Sequence, residues 1–370
     1  MRDNGAVNQH GSSVTTALRK LVAEQVARAG GWLPFDRYMA LALYAPGLGY
    51  YANTSRKFGS LPGSGSDFVT APEMSPFFGR ALAAQLAEAM ERTGTQEIWE
   101  FGAGSGALAR ELLQALGERV RRYTIVELSA SLRERQQEAL QPWAGRVQWA
   151  SELPATIEGV VVGNEVLDAM PVKLLSRKGG VWHERGVVLA EDRLAWDDRA
   201  TELRPPVEPA GPQDYLTEIH PQAQAFIRTL AERLVAGAAF FIDYGFPEAE
   251  YYHPQRHMGT LMCHRGHMAD PDPLETPGEK DITAHVDFTG IALAAQEAGL
   301  PTLGYATQGR FLLNAGIADL LQDATQAERI AAQRLVAEHE MGELFKVIAL
   351  HRGPFWDALG FRQGDRTHTL

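Results

Sequence analysis

The chain has 370 residues, 45% of them hydrophobic and 22% charged, enough for one large α/β domain with additions or for two domains. Its 35 basic and 46 acidic side chains leave a formal net charge of -11, a balance that argues against broad phosphate-driven binding of nucleic acid or of an anionic membrane. A single cysteine, Cys263, excludes an intrachain disulfide, and no apolar run approaches the ~20 residues that cross a bilayer.

Residues 1–12 are polar and lack the features of a secretion or mitochondrial leader; they read as the frayed terminus of a cytoplasmic protein. Leu18, Leu21, Val22 and Val26 recur at helical spacing over 14–30, where Gly30 and Gly31 supply a stop. A second helix is predicted over 35–43. Gly59, Pro62, Gly63 and Gly65 make 53–66 a turn-rich, mobile surface loop. Phe78, Leu82 and Leu86 predict a helix over 75–92, with Ser75 as its N-cap and Pro76 in its first turn. Strand and helix then alternate. Strands are predicted over 97–101, 122–127, 147–150, 159–163 and 238–243, and helices over 107–116, 129–140 and 223–236. This pattern predicts a doubly wound parallel sheet with right-handed crossovers.

Short segments at 181–183, 187–189 and 194–196, parted by Gly179-Gly180 and charged turns, predict an antiparallel meander inserted over 172–210. A long loop rich in Pro, Gly and His follows over 246–286. Helices over 286–298 and 317–339 and a last strand over 345–350 close the chain. The predicted organisation is an N-terminal helical or lid region (1–92), a core built from 93–171 and 211–350, the inserted meander, and the long substrate-side loop.

Glu100-Phe101-Gly102-Ala103-Gly104-Ser105-Gly106 ends the first strand and opens a helix. Glycines there let bare backbone approach a ligand at the carboxyl ends of the strands. Glu127 closes the next strand, placed to accept both ribose hydroxyls of an adenosine. Residues 102–107 also satisfy the looser dinucleotide fingerprint, so a nicotinamide-dependent oxidoreductase is a rival reading. Two features favour S-adenosylmethionine. Glu100 can pair with the cationic amino group of a methionine moiety, and it would repel a pyrophosphate. Asn164-Glu165-Val166-Leu167-Asp168 puts polar and acidic groups at the end of the fourth strand, facing the same crevice.

Gly102, Gly104, Gly106, Glu100, Glu127 and Asn164 are therefore candidate cofactor-binding residues. Asp67, Thr70 and Pro72, with Glu73, precede the helix at Ser75-Pro76, whose N-terminus can bind a methionine carboxylate; a plain capped helix explains them equally. Glu165 and Asp168, which would lie about one helical turn apart on one face if the segment forms a turn, are the candidates for holding a guanidinium and accepting its proton. The alternative is that Asp168 caps a following helix and Glu165 neutralises nearby basic groups. His253, His257, His264 and His267 cluster near Cys263, but their spacing fits no zinc pattern and no metal site is predicted. His285 is a further catalytic candidate, and Tyr50, Tyr51, Tyr244 and Phe246 are candidate walls of the adenine or acceptor pocket.

The sequence resembles the MidA-like family, which includes the mitochondrial complex I assembly arginine methyltransferase. The blocks that carry the resemblance are 43–51 (Leu43-Tyr44-Ala45-Pro46 to Gly49-Tyr50-Tyr51), 67–79, the glycine turn with 123–129, 163–172, and 243–288 with its Gly259-Thr260-Leu261; Thr307-Gln308-Gly309-Arg310-Phe311-Leu312 adds a tail signature. The resemblance implies a class I methyltransferase (Rossmann-like) fold with helical and loop elements over the cleft. It implies methyl transfer from S-adenosylmethionine, arginine in a protein as acceptor, and a partner of the kind of a respiratory NADH dehydrogenase subunit. Two departures stand out. The family often has Pro or Arg in the glycine turn, where this chain has Ala103 and Ser105, and a basic and aromatic run where it has Met262-Cys263-His264. The second lies in the presumed substrate loop and bears on acceptor identity. A non-catalytic assembly factor that keeps the cofactor fold, and methylation of a small molecule, are the other readings.

Overall fold

In the computed structural model, which describes residues 4–53, 70–265 and 268–370 and side chains from residue 13 onward, the alternating segments assemble into one sheet. Its main strands are β1 (Glu97–Phe101), β2 (Arg122–Val126), β3 (Val147–Ala150), β4 (Ile157–Asn164), β5 (Leu234–Phe246), β6 (Thr302–Thr307) and β7 (Phe345–Arg352). Their spatial order is β3-β2-β1-β4-β5-β7-β6. Neighbours from β3 to β5 are parallel, and β7 runs antiparallel to both β5 and β6. The chain winds outward from β1 through β2 to β3, then restarts on the other side at β4. That reversal opens a crevice at the carboxyl ends of β1 and β4.

Strands β4 and β5 are almost continuously apolar because both faces of the sheet are covered. Helices Pro76–Thr93 and Ala107–Leu116 pack on one face, Pro221–Arg233 and Phe288–Glu297 on the other. A third apolar cluster joins the N-terminal helices Asn4–Arg28 and Phe35–Tyr44 to the meander and the 261–284 segment, through Leu18, Val22, Tyr38, Val187, Cys263 and Ile282. The N-terminal region is thereby fastened to one rim of the crevice.

The meander is present as antiparallel strands Lys173–Lys178, Val181–Ala190 and Arg193–Ala200; Leu33–Pro34 and Tyr215–Ile219 complete a five-stranded sheet. Strand Tyr215–Ile219 has no sequence signature, because it buries the polar Thr217 and Glu218 where a core strand would carry apolar side chains. Several predicted elements are corrected. The 246–286 stretch is not an open loop. It holds helix Glu248–Tyr251 and a small antiparallel sheet of Met262–Arg265, Met268–Asp270 and Asp281–Thr283, too short and charged to show alternation. The helix over 317–339 is broken, because Thr325 and Glu328 form a capping box that starts a new helix, Gln326–Val336. The first helix begins at Asn4, since no proline interrupts 4–14, so that end is not simply frayed. The helix over 223–236 ends at Arg233, and β5 starts at Leu234. Except for Asn53, the 53–66 stretch lies outside the described residues.

Strands β4 and β5 approach closely at paired glycines. A Cβ on Gly237, where φ is 134°, would lie 1.8 Å from the Gly159 carbonyl oxygen. Gly237→Ala should therefore lower unfolding free energy by about 2 kcal/mol or more in chemical denaturation; an unchanged midpoint would show that the strands can part there without penalty.

Candidate functional site

A cavity of about 950 Å³ lies where the sheet reverses, bounded by the ends of β1, β2 and β4, the glycine turn, and segments from the N-terminal region and the 260–285 stretch. The three glycines of the turn all adopt left-handed backbone, with φ of 65° at Gly102, 53° at Gly104 and 84° at Gly106. A Cβ on Gly102 would meet Val166 Cγ2 at 2.9 Å. The turn is thus packed against the segment that follows β4, and both border the cavity.

Glu100 is buried at the base of this turn. Its Oε2 accepts a 2.7 Å hydrogen bond from the Tyr123 hydroxyl, and no basic side chain pairs with it among the described residues. Burial pushes its carboxyl up to about 8, against the Tyr123 hydrogen bond, and the Glu127 charge adds to the rise. Such a carboxyl is matched to an ammonium that enters the cleft. Glu127 ends the next strand. Its Oε1 accepts the Ser129 N–H at 2.8 Å and its Oε2 the Gln136 side chain at 3.1 Å. Burial raises its proton affinity, against those donors. Gln136 also donates to the Gly104 carbonyl at 3.0 Å and accepts from Trp149 Nε1 at 2.9 Å. This one fully buried amide couples the glycine turn to the carboxylate of β2. The sequence gives no hint of it, since its helix is otherwise polar.

The second half of the cavity is acidic. At the end of β4 the chain turns sharply, with Glu165 at φ 54°. The turn is held by Asp243 on β5, whose Oδ2 accepts the N–H groups of Val166, Leu167 and Asp168 at 3.1, 2.9 and 3.3 Å. Glu165 and Asp168 are therefore not one helical turn apart, and Asp168 caps no helix: the carboxylate of Asp243 replaces the expected helical geometry. Both side chains still line the cavity. Burial lifts Glu165 to about 8, Asp168 adds to the rise, and an Asn164 hydrogen bond of 3.0 Å opposes it. Burial lifts Asp168 to about 6, against a hydrogen bond from Tyr244. Asp168 Oδ1 and Asn164 Oδ1 are buried without a hydrogen-bond partner.

Strand Asp281–Thr283 supplies the facing wall. Side chains alternate along it, so Asp281, Thr283 and His285 line the cavity while Ile282 and Ala284 enter the third core cluster. The His285 ring stacks on Phe246 with centroids 5.3 Å apart and meets Tyr244 edge-on at 5.1 Å. Burial and the nearby Arg256 charge hold this imidazole down at about 4, so it is neutral at pH 7. Its Nδ1 is buried without a partner. Thr260 accepts the His285 backbone N–H at 3.1 Å, and Thr260 is itself gripped by Glu218, a fully buried carboxylate that accepts the N–H groups of Thr260 and Leu261 at 2.8 and 3.0 Å. Glu218, Asp243, Gln136 and Asp281 are site residues that single-residue reading of the sequence misses.

Thr70, Pro72 and Glu73 border the cavity from the short helix Ala71–Met74, and the Ser105 hydroxyl bonds Glu73. Ser75 does cap the long helix, but that helix start does not line the cavity. Asp67 and His267 lie outside the described residues. Tyr51 and Tyr244 form cavity walls, Tyr50 is buried edge-on against Tyr51, and Phe246 lies outside the cavity, stacked on His285. Cys263 points into the core, away from His264, which lines the cavity.

The doubly wound sheet, the left-handed glycine turn and the two buried carboxylates at the ends of β1 and β2 define a class I S-adenosylmethionine-dependent methyltransferase. Residues 81–306 match the family described as putative S-adenosyl-L-methionine-dependent methyltransferase. A protein of Burkholderia thailandensis, solved bound to S-adenosyl-homocysteine, is 48% identical and superposes with a TM-score of 0.93 over 98% of each chain. A native crystal structure from the same organism is 46% identical, with a TM-score of 0.89 and the same coverage. The mitochondrial protein arginine methyltransferase NDUFAF7 of Mus musculus is 28% identical over 92% of this chain and 85% of its own. Its Caenorhabditis elegans homologue is 25% identical over 91% and 86%. The chain belongs to the MidA-like family of S-adenosylmethionine-dependent methyltransferases.

A carboxyl lifted to about 8 holds its proton at pH 7 and releases it to solvent when an ammonium binds beside it. Calorimetric titration with S-adenosyl-homocysteine at pH 7, in buffers of different ionisation enthalpy, should therefore register proton release. Glu100→Gln should abolish that release and weaken binding at least about tenfold. Equal release from both proteins would place the titrating group elsewhere.

Proposed function

We propose that the chain transfers a methyl group to an arginine nitrogen of a partner protein. The observation that carries this reading is the acidic half of the cavity, where Asp168 is buried with one carboxylate oxygen unpartnered, Glu165 is half-buried on the same wall, and no basic side chain pairs with either among the described residues. A buried anionic pocket is costly unless its occupant is cationic, and a planar guanidinium can satisfy two carboxylates with paired hydrogen bonds. The curated relatives, named as protein arginine methyltransferases, support the same substrate class. By the same resemblance, a respiratory NADH dehydrogenase subunit is the first partner to test.

Glu100 and Glu127, with the backbone of Gly102 to Gly106, would hold the methionine ammonium and the ribose hydroxyls. When bound, S-adenosylmethionine supplies an electrophilic methyl on sulfur. The chain's task is to align a guanidinium nitrogen with that methyl and relieve the nitrogen of its proton. As the new carbon–nitrogen bond forms and the carbon–sulfur bond breaks, with the bonding pair leaving on sulfur, the proton passes to Glu165, Asp168 or the neutral His285. Asp168 and Glu165 must be charged to bind the cation. Their elevated affinities for protons make kcat/KM rise between about pH 6 and 8. In Glu165→Gln the upper part of that rise should vanish and kcat/KM should fall about a hundredfold, with S-adenosyl-homocysteine affinity within about threefold of the parent. A pH profile unmoved by Glu165→Gln would remove Glu165 from this role.

Methyl-labelled S-adenosylmethionine, incubated with the protein and an extract of cells lacking it, tests the acceptor class. Label is expected in methylarginine after acid hydrolysis of the protein fraction. Label in lysine, in base-labile esters or in small molecules would overturn the arginine reading. No transfer, with S-adenosyl-homocysteine binding intact, would instead favour a non-catalytic assembly factor.

A further inference from the structure

We propose that the mouth of the cavity's acidic half is a docking rim for apolar residues flanking the acceptor arginine, with Met262 and Leu344 as its specificity-determining side chains. The inference rests on the arginine reading above. It deepens that reading from the acceptor group to the segment of partner protein that carries it.

Three large apolar side chains border the cavity and yet keep more than a third of their surface in solvent: Met262 is 38% exposed, Tyr44 39% and Leu344 40%. Exposed apolar residues scattered singly are ordinary, but these come from three distant segments and border one opening. Each is tied to the acceptor end. Met262 pairs with Thr283 in the small antiparallel sheet. Directly opposed side chains share a face, so Met262 stands beside the wall of Thr283 and His285. Leu344 precedes Phe345, whose ring meets Tyr244 edge-on at 5.3 Å, and Tyr244 meets His285 at 5.1 Å. Tyr44 donates its hydroxyl to the Ala169 carbonyl at 2.8 Å, directly after Asp168. Leu128 is exposed as well, but it follows Glu127 at the ribose end and belongs with the cofactor.

Charge narrows the partner further. Six carboxyl side chains line the cavity, those of Glu73, Glu100, Glu127, Glu165, Asp168 and Asp281, and no lysine or arginine does among the described residues. An acidic side chain next to the acceptor arginine would meet like charge with no counter-ion on the wall. An apolar one would instead cover rim surface that is otherwise wet. Met262, unbranched and adaptable, can pack against several side-chain shapes. The partner segment that fits this mouth is therefore an arginine between apolar residues, with no acidic neighbour.

The test uses the full chain loaded with S-adenosyl-homocysteine and titrated with blocked tripeptides, followed by NMR shift perturbation. The probes are N-acetyl amides of Leu-Arg-Leu, Gly-Arg-Gly, Asp-Arg-Asp and Lys-Arg-Lys, with Leu-Lys-Leu as the acceptor control. Leu-Arg-Leu should bind at least about fivefold tighter than Gly-Arg-Gly, and Asp-Arg-Asp should bind weakest. Met262→Ser combined with Leu344→Ser should cut the leucine preference to within about twofold, with Gly-Arg-Gly affinity, S-adenosyl-homocysteine affinity and Tm at parent values. Equal binding of the leucine and glycine peptides, or a preference that survives the double variant, overturns the proposal and leaves the arginine reading standing. The same holds if Lys-Arg-Lys matches or exceeds Leu-Arg-Leu, because charge alone would then select the flanks. A rim covered by another segment of this chain or by a second copy would likewise show no leucine preference. A parent that binds Leu-Lys-Leu as tightly as Leu-Arg-Leu, or binds no peptide, overturns the arginine reading and this proposal together.

Discussion

The site depends on one carboxylate that does no chemistry. Asp243, at the end of β5, collects the backbone N–H groups of Val166, Leu167 and Asp168 on a single oxygen. Those donors would otherwise be buried and unpaired in the turn after β4. With them satisfied, Glu165 can occupy left-handed backbone, at a cost of about 1 kcal/mol for a residue with a Cβ. The turn then presents Glu165 and Asp168 to the cavity and seats Val166 against Gly102. The glycine turn and the acidic turn are in consequence a single packed unit, with Asp243 behind it.

The same logic of buried carboxylates recurs around the cleft. Glu218 grips Thr260 and Leu261, and through Thr260 it sets the strand end that carries His285. A side chain on Gly259 would strike Glu218 Oε1 at 2.6 Å, which is why the Gly-Thr-Leu run begins with glycine at φ 74°. Glu127 is fixed by Ser129 and Gln136. Glu100, Glu165 and Asp168 border the cavity, and burial leaves them with raised proton affinities. Asp243 and Glu218 accept N–H groups of the chain's own backbone. Under the proposed function Glu100 meets an ammonium at one end of the cavity, and Glu165 and Asp168 meet a guanidinium at the other.

Much of this was legible in the sequence. Unbroken apolar runs marked β4 and β5, and the spacing of Gly102, Gly104 and Gly106 after a strand marked the turn, because backbone that must adopt positive φ leaves a visible residue choice. Glu100, Glu127, Asn164, Glu165 and Asp168 were legible because they sit at strand ends, where a parallel sheet places its ligands. What escaped was everything defined by long-range pairing. Gln136 is one polar residue on a polar helix until Trp149, Gly104 and Glu127 converge on it. Glu218 hides its strand, since an acid in a core position looks like a loop. Asp281 and His285 belong to a stretch whose short strands form only by pairing with Met262–Arg265. The helical spacing expected for Glu165 and Asp168 failed for the same reason: a partner 75 residues away dictates that turn.

The central claim is that the acidic end of the cleft is built for a guanidinium. It is tested most directly by carbon NMR of the Glu165 and Asp168 carboxyl groups in protein loaded with S-adenosyl-homocysteine. The account predicts titrations near 8 and 6, and loss of the Glu165 proton at pH 7 when N-acetyl-arginine amide is added. Two carboxyls that titrate together in the ordinary range near 4, and do not respond to the arginine amide, would contradict it.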